Sequence, residues 1–84
     1  MSIQLNDLRD QISELDNQIL ILLSKRMLIS SSIAEYKKKN GLPIYDPVRE
    51  NELLKRYSEK VDFDIFPIYQ AIMDESKRLQ SLHL

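Results

Sequence analysis

The sequence predicts an all-α fold with three helices, and two observations carry this prediction. Apolar residues recur at steps of three and four over most of the 84 residues, which is the spacing of one face of a helix. The composition includes only one glycine and three prolines, and no alternating apolar and polar runs bounded by turn residues indicate strands. The few glycine and proline positions divide the chain into one long helix followed by two shorter ones.

The long first helix is predicted over residues 4–39, where side chains at helical spacing form one apolar stripe that includes a single arginine. The members of the stripe are Leu5, Leu8, Ile12, Leu15, Ile19, Leu22, Arg26, Ile29, Ile33 and Tyr36. Asn6 or Ser2 is the candidate N-cap of this helix. Asn40-Gly41 predicts its end, because glycine readily adopts the left-handed conformation that terminates helices.

The length of this first helix predicts a homodimer. Residues 4–39 extend over more than about 50 Å, at roughly 1.5 Å per residue. A compact chain of this size has a radius of gyration of only about 12 Å, so half of the apolar stripe would face water. We therefore predict a homodimer in which the first helices of two chains form an antiparallel or crossed pair and each chain's shorter helices fold over the exposed half of its partner.

A loop at residues 40–45 and a second helix at residues 46–59 are predicted next. Asp46 suits the N-cap, because its carboxylate accepts hydrogen bonds from the unpaired N–H groups of the first helical turn. Pro47 suits the first helical position, where its missing N–H costs no hydrogen bond. Together these two residues predict a sharp start for the second helix.

The third helix is predicted over residues 64–82, with Asp62 or Asp64 at its start and Pro67 in its first turn. Its inward face comprises Ile65, Tyr69, Ile72, Met73, Ser76, Leu79 and Gln80. His83, the only histidine, lies at the fraying end of this helix and is interpreted as inert.

Composition and charge exclude several classes of function for this chain, which is interpreted as one domain over residues 1–84. It has 12 basic and 13 acidic residues and a formal net charge of −1, so no global field attracts nucleic acid or an anionic membrane. The absence of cysteine excludes disulfides, thiolate catalysis and a cysteine-ligated zinc site. No segment approaches the roughly 20 apolar residues of a membrane span, and we expect a cytoplasmic location.

Several polar side chains lie where a core-facing helix would carry apolar ones. Arg26 replaces an aliphatic residue in the stripe, and an arginine is rarely buried without an anionic partner. Lys37 lies 11 residues further, at nearly the same azimuth and about 16 Å along the axis, so both cations can line one cavity.

Arg9 is about 25 Å from Arg26 along the axis and can meet such a cavity only from a second chain. Ser76 and Gln80 are adjacent on the third helix.

Each of these residues also has a simpler interpretation. Arg26 alone fits a polar residue that fixes the register of a coiled-coil seam, and Lys37 fits the usual cation at a helix C-terminus. Asp46 is a common cap, and Glu50 is a common first-turn acid. The ligand-binding interpretation of this turn is that Arg49 and Glu50 bind carboxylate and hydroxyl groups beside free backbone N–H groups. Taken singly, these features favour the simpler interpretations.

Five motifs in a fixed order extend over nearly the whole chain. They are Leu-Arg-(x)5-Leu-Asp at residues 8–16, Lys25-Arg26, Lys37, Pro-Ile-Tyr-Asp-Pro-Val-Arg-Glu at residues 43–50 and Glu-Ser-(x)3-Gln at residues 75–80. In this order and spacing the chain resembles the all-helical class of chorismate mutases. The short connection at residues 59–64 departs from the family, and this departure concerns that loop alone.

The resemblance implies an isomerase that converts chorismate to prephenate by a Claisen rearrangement in phenylalanine and tyrosine biosynthesis. It implies no cofactor and no metal, because the rearrangement is unimolecular and transfers no proton. It also implies an intertwined homodimer with crossed long first helices, in agreement with the homodimer that the length of the first helix predicts. The substrate-binding residues that it implies are Arg9, Arg26, Lys37, Asp46, Arg49, Glu50, Ser76 and Gln80.

Four members of this set are implied to bind the carboxylates of the substrate. Arg9 of the partner chain and Arg26 would clamp the two carboxylates, while Arg49 and Ser76 would orient one of them. Such clamps would hold the flexible dianion in its reactive diaxial conformation, which removes part of the entropic barrier.

The remaining members are implied to contact the ring hydroxyl and the ether oxygen. Glu50, with Asp46 nearby, would hold the hydroxyl. Lys37 and Gln80 would face the ether oxygen, where negative charge grows in the transition state. The catalytic residues implied are therefore Lys37, Gln80, Arg26 and Glu50.

Two alternative functions use the same features differently. A related isochorismate pyruvate lyase has the same fold and similar carboxylate clamps, and it releases pyruvate without a metal. A non-catalytic helical dimer that serves another enzyme would explain the apolar stripe, but it leaves the polar residues on the inward faces without a role. For the mutase, an enzyme of the same pathway is the candidate partner.

Overall fold

The computed structural model describes residues 2–82, with side chains from residue 4 onwards, and it has three helices in that range. They are α1 (Ser2–Asn40), α2 (Pro47–Ser58) and α3 (Phe66–Ser81). No strand occurs in the same range, and the predicted all-α class is confirmed. The predictions for residues 1, 83 and 84 lie outside the described residues, among them the inert role of His83.

The two ends of α1 differ in how well the sequence placed them. The helix begins at Ser2, two residues before the predicted start, and Asn6 lies inside it rather than at its cap. At the other end Gly41 has a φ of 64°. The Leu42 N–H donates to the Lys37 carbonyl at 2.9 Å, and the Gly41 N–H donates to the Lys38 carbonyl at 3.5 Å. This Schellman arrangement satisfies carbonyls that would otherwise be unpaired and ends the helix where the glycine predicts.

The start of α2 follows from its capping residue. Asp46 is the N-cap, and its carboxylate accepts a hydrogen bond from the Arg49 N–H at 3.1 Å. Pro47 is the first helical residue, and the Asp46 carbonyl accepts from the Glu50 N–H at 3.1 Å. The helix ends at Ser58, one residue before the predicted end.

The start of α3 lies further along the chain than the sequence predicted. Neither Asp62 nor Asp64 is its first residue, because the helix begins at Phe66. The Asp64 carboxylate accepts a hydrogen bond from the Phe66 N–H at 3.0 Å, and this short-range contact forms a turn before the helix instead of its first turn. Pro67 lies in the first helical turn as predicted.

The molecule is elongated because only half of α1 packs on the rest of the chain. Helix α3 contacts both α1 and α2, and the buried apolar side chains are Ala34, Leu53, Leu54, Ile65 and Met73. The radius of gyration is 16.6 Å, well above the roughly 12 Å of a compact chain of this length. The intrachain core is therefore small and lies beside the second half of α1.

The first half of α1 carries its apolar stripe on an open surface. Every residue from 4 to 22 is exposed, including Ile12 at 59% and Leu22 at 63%. Although α1 is long, no helix in the described part of the chain is apolar enough over a sufficient length to cross a membrane. An exposed apolar stripe of this extent on a water-facing helix is typical of an interaction surface.

Replacement of the glycine that ends α1 tests the role of its backbone conformation. No atom lies within 4 Å of a Cβ added at Gly41, so Gly41→Ala introduces only the strain of a positive φ. We expect the free energy of unfolding to fall by about 1 kcal/mol, measured by urea denaturation. Gly41→Asn is the matched control and should lose less, because asparagine tolerates this conformation. Equal stability of the alanine variant and the wild type would contradict this account.

Candidate active site

A cavity of about 360 Å³ lies between the second half of α1, the first turns of α2 and the second half of α3. Its lining comprises Arg26, Ile29, Ser30, Ile33, Lys37, Ile44, Asp46, Arg49, Glu50, Leu53, Met73, Ser76, Lys77 and Gln80. Seven of the eight residues that the sequence predicts to bind substrate belong to this lining. Arg9 is the exception.

Cationic side chains outnumber acidic ones in this cavity. Its formal net charge is +2, from the cations Arg26, Lys37, Arg49 and Lys77 and the acids Asp46 and Glu50. The whole chain carries −1, so the positive charge is a local feature. Apolar side chains between the charges strengthen the field inside. Among the described residues, no group of three or more histidine, cysteine or acidic side chains is placed to hold a metal ion.

Arg26 is held by neutral groups and not by an acid. Its Nη1 donates a hydrogen bond to the Ser76 Oγ at 2.6 Å, and its guanidinium carbon lies 6.0 Å from the centre of the Tyr69 ring. In the described part of the chain, no carboxylate forms an ion pair with it. These contacts fix the guanidinium while leaving its positive charge uncompensated, which suits a site for an anion.

Lys37 connects the end of α1 to the loop that follows. Its Nζ donates to the carbonyl of Ile44 at 2.8 Å. An ammonium has three donors, and this contact uses one of them. Lys37 therefore holds the loop at the edge of the cavity and retains donors for a ligand.

Ser76 and Gln80 are the buried polar residues of α3. They are 5% and 7% exposed, and the Ser76 hydroxyl donates to the sulfur of Met27 at 3.6 Å while it accepts from Arg26. The Gln80 Oε1 is buried and accepts no hydrogen bond from any described residue. Unused hydrogen-bonding capacity in a buried amide costs about 1–3 kcal/mol unless a ligand satisfies it. Gln80 is therefore a strong candidate for direct ligand contact.

The first turn of α2 contributes one capping acid and one ion-paired acid. The Asp46 carboxylate is engaged as the helix cap by the Arg49 N–H, and the Arg49 side chain is exposed at the cavity edge. Glu50 is more buried, and the ammonium of Lys77 lies 3.0 Å from its Oε2. The two carboxylates thus have different partners and different exposure.

Two polar residues of the lining were missed by the sequence analysis. Ser30 is 4% exposed and lies one helical turn after Arg26, so helical spacing from the arginine was a usable signal. Lys77 pairs with Glu50 across 27 residues, and nothing in the local sequence marks that contact. A lysine between two polar neighbours is more often solvated, which is why it was not singled out.

Arg9 lies on the protruding half of α1 and is exposed. Its position 17 residues before Arg26 corresponds to about 25 Å along the helix, so it does not reach the cavity of its own chain. Its placement in the cavity of a second chain stays a prediction.

The ordered motifs have their counterpart in a known family. A family model described as chorismate mutase type II matches residues 8–81. The chain belongs to this family. The match spans every residue of the cavity lining and also Arg9, and it confirms the resemblance inferred from the sequence.

Individual relatives and a solved structure resemble the chain over most of its length. A chorismate mutase from Methanocaldococcus jannaschii is 34% identical over 87 aligned residues, which cover 96% of this chain and 88% of the relative. A bifunctional chorismate mutase/prephenate dehydratase from Aquifex aeolicus is 37% identical, with 92% of this chain but 24% of the relative covered. The solved structure, a conserved hypothetical protein from Pyrococcus furiosus, is 40% identical with a TM-score of 0.82 and coverage of 92% and 95%.

Proposed function

We propose that the chain is an isomerase that rearranges chorismate to prephenate. The observation that carries this proposal is the cavity, in which a net charge of +2 lies beside one partly buried carboxylate, Glu50, and one buried neutral amide, Gln80. Chorismate is a dianion with a ring hydroxyl and an ether oxygen, so it requires cations, an acceptor and a neutral donor in one place. Membership of the chorismate mutase type II family identifies the dianion.

Arginines hold the substrate in its reactive shape. Arg26 is fixed by Ser76 and lacks an acidic partner, so it binds one carboxylate with little loss of its own freedom. Arg49 lines the same cavity from the first turn of α2 and binds a carboxylate there. Restriction of the flexible dianion to its diaxial conformation converts binding energy into a near-attack geometry.

Two donors stabilise the transition state. As the C–O bond breaks, negative charge grows on the ether oxygen, and a donor aimed at it binds the transition state more tightly than the ground state. Lys37 and Gln80 supply such donors from the ends of α1 and α3. One preorganised donor of this kind contributes about 3–4 kcal/mol in a water-excluded site.

Glu50 accepts the hydrogen bond of the ring hydroxyl. It is the more buried of the two acids in the cavity, with 15% of its side chain exposed. The rearrangement is unimolecular, so the carboxylate is required to orient the ring and not to transfer a proton. Asp46 stands beside it as the cap of the same helix.

The product belongs to phenylalanine and tyrosine biosynthesis, and a cytoplasmic location fits that role. The relative from Aquifex aeolicus is a bifunctional chorismate mutase/prephenate dehydratase, and the present chain covers only 24% of that relative. We propose that an enzyme of the same pathway acts on the prephenate that this chain releases, either free in solution or in a complex with it.

A direct assay tests the reaction. Purified protein is mixed with chorismate and, separately, with isochorismate, and prephenate and pyruvate are measured. We expect prephenate from chorismate, with Arg78→Met as an active control because Arg78 is paired with Glu75 on an exposed part of α3. Pyruvate from isochorismate without prephenate from chorismate would establish the lyase instead. No product from either substrate would favour a non-catalytic helical dimer.

We further propose that the active form is a homodimer with crossed α1 helices. The exposed apolar stripe over residues 4–22 requires a cover, and a second copy offers the same stripe in return. In such a pair, Arg9 of one chain approaches the Arg26 cavity of the other, which supplies the remaining carboxylate clamp.

Subunit exchange tests this shared site. Arg9→Ala and Arg26→Ala should each lower kcat/KM by about 100-fold or more while leaving a dimer in sedimentation. In a mixture of the two variants after exchange, each heterodimer contains one intact site and one doubly defective site. Random pairing should then restore about one quarter of the wild-type activity. A mixture as inactive as its components, or a monomeric wild type, would overturn the proposal.

The neutral donor at residue 80 predicts a particular pH dependence. Gln80 donates at any pH, so kcat/KM should not rise steeply as the pH falls below about 6. Gln80→Glu should gain activity toward acid pH, because only the protonated carboxyl donates and the ordinary glutamate pKa is about 4.3. Ser81→Ala, a neighbouring exposed position, is the control. A steep acid rise in the wild type would contradict the donor role of Gln80.

A further inference from the structure

Lys77 is the one cation of the cavity to which the proposed mechanism gives no role. Its Nζ lies 3.0 Å from the Glu50 Oε2 and 3.3 Å from the Glu50 Oε1. It also lies 3.4 Å from the Asp74 Oδ1 and 4.5 Å from the centre of the Tyr45 ring. One ammonium therefore joins α3 to the first turn of α2 and to the loop before it.

The Lys77–Glu50 pair is shielded from water in a way that a surface ion pair is not. The side chains of Lys77 and Glu50 are 26% and 15% exposed, whereas those of Arg78 and Glu75 are 61% and 44% exposed. Exposed pairs contribute little, and their side chains move freely. A partly desolvated pair interacts more strongly, because the local dielectric constant is lower.

The ammonium of Lys77 remains charged in this environment. Partial burial works to lower the pKa of Lys77, but the hydrogen bonds to Glu50 and Asp74 raise that pKa above its ordinary value. Lys77 thus stays a donor across the physiological range and stays available to the Glu50 carboxylate.

Because Lys77 contacts both carboxylate oxygens of Glu50, it restricts the directions in which Glu50 can accept a hydrogen bond. The terminal torsion of a glutamate is broad and roughly two-fold, so an unpaired carboxylate presents its oxygens in many directions. An ammonium near both oxygens fixes the plane of the group and leaves lone pairs on the side that faces the cavity. A ligand hydroxyl then meets an acceptor that is already oriented, which lowers the entropy lost on binding.

We propose that Lys77 is a positioning residue that holds the Glu50 carboxylate as the acceptor for the ring hydroxyl of the substrate. This inference rests on the proposed mutase function, because it assigns the group through which Glu50 recognises the ring. Lys77 does not touch the substrate. It acts through Glu50.

A double-mutant cycle tests the proposal. The variants are Lys77→Met, which keeps the apolar stem of the lysine, Glu50→Gln, and the two together, with Arg78→Met as the matched loss of a cation from α3. We expect Lys77→Met to lower kcat/KM by about tenfold to a hundredfold. In the Glu50→Gln background the same change should have an effect of less than about threefold, because residues that act as a unit are not additive.

The kinetic parameters separate positioning from a structural role. The hydroxyl contact is made in both the ground and the transition state, so its loss should raise KM more than it lowers kcat. Loss of folded sites would lower kcat at constant KM. Lys77→Arg should recover most of the activity, since a guanidinium also contacts both carboxylate oxygens. Lys77→Gln provides a second neutral variant for the cycle if the methionine variant does not fold by circular dichroism.

Three outcomes would overturn the inference. An equal loss of kcat/KM in the Glu50→Gln background would mean that Lys77 binds the substrate directly. Unchanged kinetics of Lys77→Met would mean that Glu50 needs no partner, and a loss confined to kcat would indicate a structural role. A wild-type protein that does not convert chorismate would instead defeat the proposed function, which the first assay reports separately.

Discussion

A continuous helix of 39 residues cannot be covered by the two short helices that follow it in the same chain. Helix α3 packs against the second half of α1, where Ser30 and Ala34 are buried, and the first half exposes its apolar stripe from residue 4 to residue 22. The cavity lies beside this second half, where α1, α2 and α3 meet. The same constraint thus sets the position of the site and leaves the apolar surface that the proposed homodimer would cover.

The cavity carries a positive net charge although the chain as a whole does not. Four cations lie around one volume of about 360 Å³, while the chain as a whole carries −1. Neutral contacts hold two of them, Arg26 through Ser76 and Lys37 through a backbone carbonyl. Holding a cation with neutral groups fixes its position without cancelling its charge, and that combination suits a dianionic substrate.

Signals that are local in the chain were readable from the sequence, and contacts between distant residues were not. Asp46-Pro47 and Asn40-Gly41 fix helix ends through hydrogen bonds within a few residues, and both predictions agree with the structure. The start of α3 was placed too early, because Asp64 caps a turn that precedes the helix. Lys77 escaped notice because its partner is 27 residues away in sequence.

The Asp46 side chain both stabilises the start of a helix and lines the cavity. Its carboxylate caps α2 through the Arg49 N–H, and the same side chain lines the cavity beside Glu50. Removal of an N-cap costs about 1 kcal/mol of stability, so a change here to a residue without a capping side chain would alter the cavity and also loosen the helix that carries Glu50. Glu50 has no such capping duty. A substitution at Asp46 therefore acts on the cavity and on the start of α2 at once, whereas a substitution at Glu50 acts on the cavity and on the ion pair with Lys77 that joins α2 to α3.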